Sequence, residues 1–252
     1  MAKGPTILVT GAAGGIGAEI VRHIAGPGVA LLLHTGTNRE GLQAVAEEAR
    51  GRGARVAVET GDLGDPAVPA RLVDAARGAF GRLDQIVSNA GRAHQARFET
   101  LEADDLQAAF ATMPMAFFHL VKAGLADLRA SPQGRVVAIS SFVAHAFGTN
   151  GMHFPATGAA KAALEALAKS LAAQLAPDGV TVNCVVPGFV RKARDGHRAI
   201  TPASMESARA VTPNGTLGEH ADIAALVAFL LSPHARHITG QSMHVDGGLL
   251  LP

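Results

Sequence analysis

Seven short, apolar, β-rich runs alternate with alanine-rich stretches of helical period, and this pattern predicts an α/β fold. The runs lack the polar alternation of one-sided strands, so both faces of the sheet are expected to be buried. The expected architecture is a mostly parallel seven-stranded sheet, doubly wound, with helices on both faces. Length supports a single domain over 1–252, because no linker, internal repeat or low-complexity tract interrupts the 252 residues.

Taken in order, the strands are expected at Thr6–Thr10, Val29–His34, Arg55–Glu59, Gln85–Ser88, Arg135–Ser140, Val180–Val186 and Ser242–Val245. Helices are expected near 15–25, 39–51, 66–80, 104–129, 156–176 and 219–231. Asp65-Pro66 reads as a cap followed by a first-turn proline, and Asp104 precedes an apolar-periodic run. Pro177-Asp178-Gly179 supplies turn chemistry after the long helix near the middle of the chain. Two stretches, 141–155 and about 187–218, fit no regular element and follow strands at their carboxyl ends. Open α/β sheets bind ligands there, so both are candidate binding loops, the second as an inserted substrate loop.

Composition narrows the function classes. With 48% hydrophobic and 17% charged residues the chain can bury a sizeable core. A formal net charge of +1 argues against a nucleic-acid or membrane surface. The one cysteine, Cys184, sits in an apolar run and reads as a buried, inert thiol. The apolar run after Met1–Pro5 is too short for a signal peptide or a span, so a cytoplasmic location is expected. His234 and His237 have a spacing compatible with metal but no third ligand nearby, so no metal site is expected.

The first strand runs into Thr10-Gly11-Ala12-Ala13-Gly14-Gly15-Ile16-Gly17 and then into a helix. Glycines there allow a tight turn and close backbone approach, while a helix N-terminus offers free N–H groups and partial positive charge to a pyrophosphate. At the tip of strand two the sequence reads His34-Thr35-Gly36-Thr37-Asn38-Arg39, with no acid before Glu40. A carboxylate at that tip would accept from the ribose hydroxyls of NAD and repel a 2′-phosphate. Arg39, aided by Thr35 and Asn38, favours NADP(H) over NAD(H).

These motifs, in this order and over nearly the whole chain, resemble the short-chain dehydrogenase/reductase family, a Rossmann-type fold. Thr-Gly-x3-Gly-Ile-Gly is similar to that family's glycine fingerprint, with Thr10, Gly11, Gly15, Ile16 and Gly17 at its core. The resemblance implies that Asp62 and Leu63 lie by the adenine. It also places Asn89-Ala90-Gly91 at the structural Asn-Ala-Gly turn, with Ser88 before it. Pro187, Gly188 and Val190 fall where members meet the nicotinamide, and Thr239-Gly240 and Val245-Asp246-Gly247-Gly248 close the chain as members do.

The resemblance further implies hydride transfer between a nicotinamide and a carbonyl, alcohol or enoyl carbon. In that chemistry a tyrosine moves the proton, a serine orients the substrate oxygen, an asparagine holds a water, and a lysine serves tyrosine and ribose. Lys161 matches the lysine and Ser141 the serine. The chain contains no tyrosine at all. Four residues before Lys161 stands Thr157; seven before, at the spacing of enoyl-carrier-protein reductases, stands Phe154. Both steps return near the lysine's face of a helix. Met113 stands at the asparagine position, and Lys192 where a threonine often follows Pro-Gly.

Proton transfer is therefore open between Lys161 itself, a water on Ser141, and a histidine, with His153 before His145. Arg191, Lys192, Arg194, His197 and Arg198 form a basic run that is either solvated or meets an acidic group of a substrate. Three readings remain: an NADP(H)-dependent oxidoreductase with an atypical site, a degenerate NADP(H)-binding partner subunit, and non-redox chemistry with Lys161 or His153 as base. The resemblance also implies a homotetramer or homodimer, paired through the helices near 104–129 and 156–176.

Overall fold

The computed structural model describes residues 4–191 and 202–251. Seven strands form one sheet: β1 Thr6–Val9, β2 Ala30–Thr35, β3 Arg55–Thr60, β4 Gln85–Ser88, β5 Arg135–Ile139, β6 Thr181–Pro187 and β7 Ser242–Val245. Their order is β3-β2-β1-β4-β5-β6-β7, and every pairing is parallel. The helices are α1 Gly15–Ile24, α2 Arg39–Gly51, α3 Ala67–Phe80, α4 Ala103–Phe110, α5 Ala116–Ala130, α6 Pro155–Leu175, α7 Pro202–Ala210 and α8 His220–Leu231.

The strands alternate between two cores, which is why their sequences look continuously apolar. Ile7 and Val9 point into one core with Leu31 and Leu33, packed by Ile20 of α1, Val45 of α2 and Val227 of α8. Leu8 and Leu32 point into the other, with Leu72 of α3, Leu120 of α5 and Leu164 of α6. Leu8 is fully buried, and truncating such a leucine to alanine costs roughly 2–5 kcal/mol. Cys184 lies in the second core, and burial pushes its thiol up to about 12, leaving it protonated and inert.

Local signals placed most boundaries within a residue or two. Asp65 accepts from the Ala67 N–H at 2.9 Å and so opens α3. Asp104 does not cap its helix: α4 starts earlier, at Ala103, and the Glu102 N–H is held by the Asp105 side chain at 3.1 Å. Two expectations need correction. The stretch read as irregular over 187–218 contains α7, which opens on a proline at its first position. The helix expected over 104–129 is not continuous: between α4 and α5 residues Ala111–Met115 form a π-helical turn around Pro114. Proline has no N–H to give the turn before it, so the ladder widens there. Ala103–Ala130 together is long and apolar enough to cross a bilayer, yet its inner face sends Phe117 and Leu120 into the core.

The sheet order positions the site. The chain moves outward from β1 to β2 and β3, then returns to place β4 on the other side of β1. The crossovers therefore diverge at the carboxyl ends of β1 and β4, and a crevice opens there.

Candidate active site

The glycine turn spans this crevice. Gly11 and Gly15 have φ of +66° and +55°, a left-handed backbone that side chains oppose. Gly17 has no room for one: a Cβ there would lie 2.1 Å from the Gly11 oxygen and 2.6 Å from Asn89 Nδ2. The turn is stitched to β4 by two side chains. Thr10 Oγ1 accepts from the N–H groups of Asn89 (3.0 Å) and Ala90 (3.1 Å). Asn89 Nδ2 donates to the carbonyls of Thr10 (3.0 Å) and Gly11 (3.1 Å). Thr10 and Asn89 thus fix the shape of the turn with their side chains.

What remains free is the mouth of α1. No side chain caps it, no acid lies in its first turn, and a Cβ on Gly14 would meet nothing within 4 Å. Uncapped N–H groups facing open space above a rigid turn fit the pyrophosphate of a dinucleotide. Farther out, Thr35 is buried at the end of β2, and the Asn38 side chain accepts from Gly41 N–H at 3.0 Å, capping α2. Arg39 is exposed and makes no ion pair among the described residues. It lines a cleft of about 370 Å³ that also holds Arg71 and Glu59, themselves paired at 3.2 Å. Asp62 is exposed, its Oδ1 accepting from Gly64 N–H at 2.9 Å, and Leu63 beside it is buried.

On the other side of the crevice, Pro187 ends β6. Gly188 N–H donates to the Val245 carbonyl at 3.0 Å, and Val190 bridges to Gly218. A Cβ on Gly188 would sit 2.7 Å from Asp246 Cα, so glycine is needed for that contact. Arg191 pairs with Glu219 at 3.0 Å. Lys192, Arg194, His197 and Arg198 lie outside the described residues.

At the end of β5 the chemistry changes. Lys161 is fully buried on α6 and its Nζ donates to the Ile139 carbonyl at 2.6 Å. Burial lowers its amine to about 8, because the charged form loses its hydration. Ser141, two residues past that carbonyl, has extended backbone and starts a short 3₁₀ turn, Phe142–Ala144. Its Oγ accepts only a long 3.5 Å bond from Val143 N–H. Gly91 closes the space above the lysine: a Cβ there would be 3.1 Å from Lys161 Nζ and 3.3 Å from Met113 Sδ. The π-helical turn therefore delivers a thioether, only a weak acceptor, to the lysine's neighbourhood.

Thr157 is buried one turn before Lys161. Its Oγ1 accepts from His94 N–H at 2.9 Å and lies 3.5 Å from the Arg92 carbonyl. The hydroxyl is thus engaged with the loop after β4. Phe154 precedes α6 and lines an apolar cavity shared with His153. His153 is exposed, and its carbonyl accepts from Ala96 N–H at 3.1 Å. His145 lies 3.0 Å from Glu165.

With this geometry in view, the comparisons agree. A family model described as Enoyl-(Acyl carrier protein) reductase matches residues 11–250. The chain belongs to the short-chain dehydrogenase/reductase family. It is 35% identical over 252 residues to the 3-oxoacyl-acyl-carrier-protein reductase FabG of Escherichia coli, covering 99% of this chain and 98% of that one. A solved dehydrogenase/reductase from Sinorhizobium meliloti superposes with a TM-score of 0.90 at 32% identity, covering 99% of this chain and 96% of that one. A short chain dehydrogenase from Burkholderia cenocepacia, solved in complex with NADP, gives 0.88 at 32% identity and 98% coverage of both. The seven-stranded parallel sheet is shared with these neighbours, and the chain is an oxidoreductase of this family.

One cluster near the crevice of this oxidoreductase escaped the sequence reading. Glu165, buried one turn beyond Lys161, accepts from Ser140 Oγ and from Ser242 Oγ at 2.6 Å, and meets His145 Nε2 at 3.0 Å. The His145 ring lies 5.0 Å from that of His244, whose Nδ1 is 3.5 Å from Asp246. One carboxylate thus gathers the ends of β5 and β7 and the loop after Ser141. The available signal was its spacing: i and i+4 share a helix face, and beyond Lys161 the other buried residues of that face are Leu164, Ala168, Ala172 and Leu175.

Proposed function

We propose that this protein is an NADP(H)-dependent oxidoreductase acting on a small carbonyl, alcohol or enoyl substrate, in which Lys161 takes over the work of the missing phenol. The observation that carries the reading is the buried Lys161 amine, lowered to about 8 and bonded to the Ile139 carbonyl at the end of β5, two residues before Ser141. Thr10, Gly11, Gly15, Ile16, Gly17, Asn89, Ala90 and Gly91 would form the pyrophosphate side of the cofactor site. Asp62 and Leu63 would flank the adenine, and Pro187, Gly188 and Val190 the nicotinamide. When bound, the nicotinamide supplies or accepts the hydride.

Each side chain then has a definable task. Arg39, with Thr35 and Asn38 beside it, offers a cation to a 2′-phosphate where an acid would repel it. Ser141 Oγ holds the substrate oxygen. Lys161 Nζ, an ammonium below about pH 8, donates the proton that this oxygen needs in reduction and takes one back in oxidation. An amine near neutrality is suited to both directions, whereas the Thr157 hydroxyl is too weak an acid and is already engaged. Phe154 and His153 bound the substrate side.

The test is calorimetric titration with NADPH and NADH, then NADPH oxidation followed at 340 nm over a carbonyl panel, with wild type and Lys161→Met. The reading expects tighter NADPH binding and turnover that depends on Lys161. Met113 beside the lysine favours a second reading, a cofactor-binding partner subunit without redox turnover. Tight NADPH binding with no substrate oxidised or reduced would select it. We further propose a cytoplasmic homotetramer or homodimer, since Phe110, Met115 and Phe118 on the α4–α5 face and Leu167 on α6 remain exposed. A sedimentation mass of one chain would overturn the assembly.

A further inference from the structure

Phe142 and Val143, the two residues after Ser141, line a cavity of about 150 Å³ whose walls are mostly aromatic and aliphatic. Four of the ten phenylalanines of the chain line it: Phe98, Phe142, Phe147 and Phe154, with Met152 and His153. Among the described residues, no Lys, Arg, Asp or Glu contributes to the lining. Phe142 directly follows Ser141 and is backed by the Phe189 ring at 4.6 Å, while Phe154 sits two turns before Lys161. The wall is set by α6: a Cβ on Gly158 would strike the Val143 carbonyl at 2.6 Å, so glycine lets the loop and its Phe147 settle on the helix.

Two of these rings are held in water. Phe98 is 82% exposed and Phe147 79% exposed, at the rim of a cavity whose depth is apolar. Size narrows the occupant. A cavity of roughly 150 Å³ lined by apolar side chains is the size that admits one benzene ring. Drug-sized or chain-like ligands need roughly 300–1,000 Å³. Charge narrows it further, because the described lining offers no cation to an anionic group.

From this we infer that the cavity is the substrate subsite of this chain, built for a single uncharged six-membered ring carrying its ketone or alcohol on or next to the ring. The ring fills the phenylalanine cavity, and the oxygen projects past Phe142 to Ser141. Phe98 and Phe147 cover the ring's outer face, gaining contacts that water now occupies. This rests on the oxidoreductase reading for its chemistry, though not for the binding itself. A linear acyl thioester fits poorly, because its length exceeds the cavity.

Binding and turnover separate the two claims. Acetophenone is titrated into the whole protein, with and without NADP⁺, by ligand-observed NMR. Butanone, 4-carboxyacetophenone and an acetoacetyl-pantetheine thioester serve as comparisons. Acetophenone is expected to bind at least about 10-fold tighter than butanone or the carboxylate analogue. Phe98→Ala and Phe147→Ala, both exposed and so safe for folding, are each expected to weaken it about 3- to 10-fold.

Equal affinity for acetophenone and butanone, preference for the thioester, or indifference to both substitutions would overturn the subsite. Ring binding without any NADPH oxidation would keep the subsite and defeat the oxidoreductase reading. Reduction of other carbonyls without ring binding would do the reverse.

Discussion

At the β1–β4 seam, Thr10 and Asn89 commit their side chains to backbone, and Gly17 packs so closely that a methyl group has no place. Across the crevice at the end of β5, Ser141 makes one long bond, Met113 offers sulfur near Gly91, and the buried Lys161 amine donates to the Ile139 carbonyl. The first region is built by steric exclusion and saturated hydrogen bonds, which tolerate little change. The second holds Lys161 on α6 and Ser141 after β5, with a thioether rather than a network of hydrogen bonds near the lysine. Binding geometry and proton chemistry are therefore separable in this fold, since they rest on different strands and different forces.

Substitutions can break that comparison, beginning with the largest effect. Lys161→Met should lower carbonyl reduction by roughly 10²–10⁴-fold, the range of positioned acid catalysis, and leave the glycine turn intact in its circular dichroism. In wild type the reduction rate should fall about tenfold per pH unit above about 8, as the ammonium titrates. A flat profile up to pH 10 would show that Lys161 does not donate.

The same residue predicts a stability effect of known sign. Its folded value, about 8, lies below the usual 10.5, so the unfolded chain binds more protons between those limits. Stability from this group therefore rises with pH from about 8 to about 10.5 and is lost as pH falls back. Wild-type stability minus that of Lys161→Met in urea unfolding should rise by about 3 kcal/mol as pH increases across that window.

Gly17→Ala tests the other half. Its methyl would press on the Gly11 carbonyl, and an ångström of displacement at the turn should weaken NADPH binding about 100-fold by calorimetry. Arg39→Ala should cost about 10-fold in NADPH affinity and spare NADH, as loss of one charge-assisted contact would. Thr157→Val sharpens the contrast most. Removing its bond to His94 N–H should lower unfolding stability by about 1 kcal/mol with turnover nearly unchanged. A large loss of turnover at unchanged stability would return Thr157 to the proton path.

Short-range physics made much of this protein legible from its residues. The strands follow from apolar runs, α3 from Asp65 and Pro66, and the glycine turn from spacing that only one backbone path allows. Lys161 and Ser141 were singled out by the family resemblance rather than by local physics, and they lie on α6 and just past β5. The sequence did not disclose that Pro114 opens a π-helical turn, that α7 exists, or that Thr157 binds a backbone 63 residues away.

Nor could it show Phe98 meeting three phenylalanines of the 141–155 stretch in one cavity, or Glu165 drawing together Ser140, His145 and Ser242. Periodicity, caps and glycine sterics act over a few bonds, so residue order alone determines them. Which hydroxyl is already occupied, and which amine is stripped of water, depends on neighbours that only the packed sheet and its helices bring together.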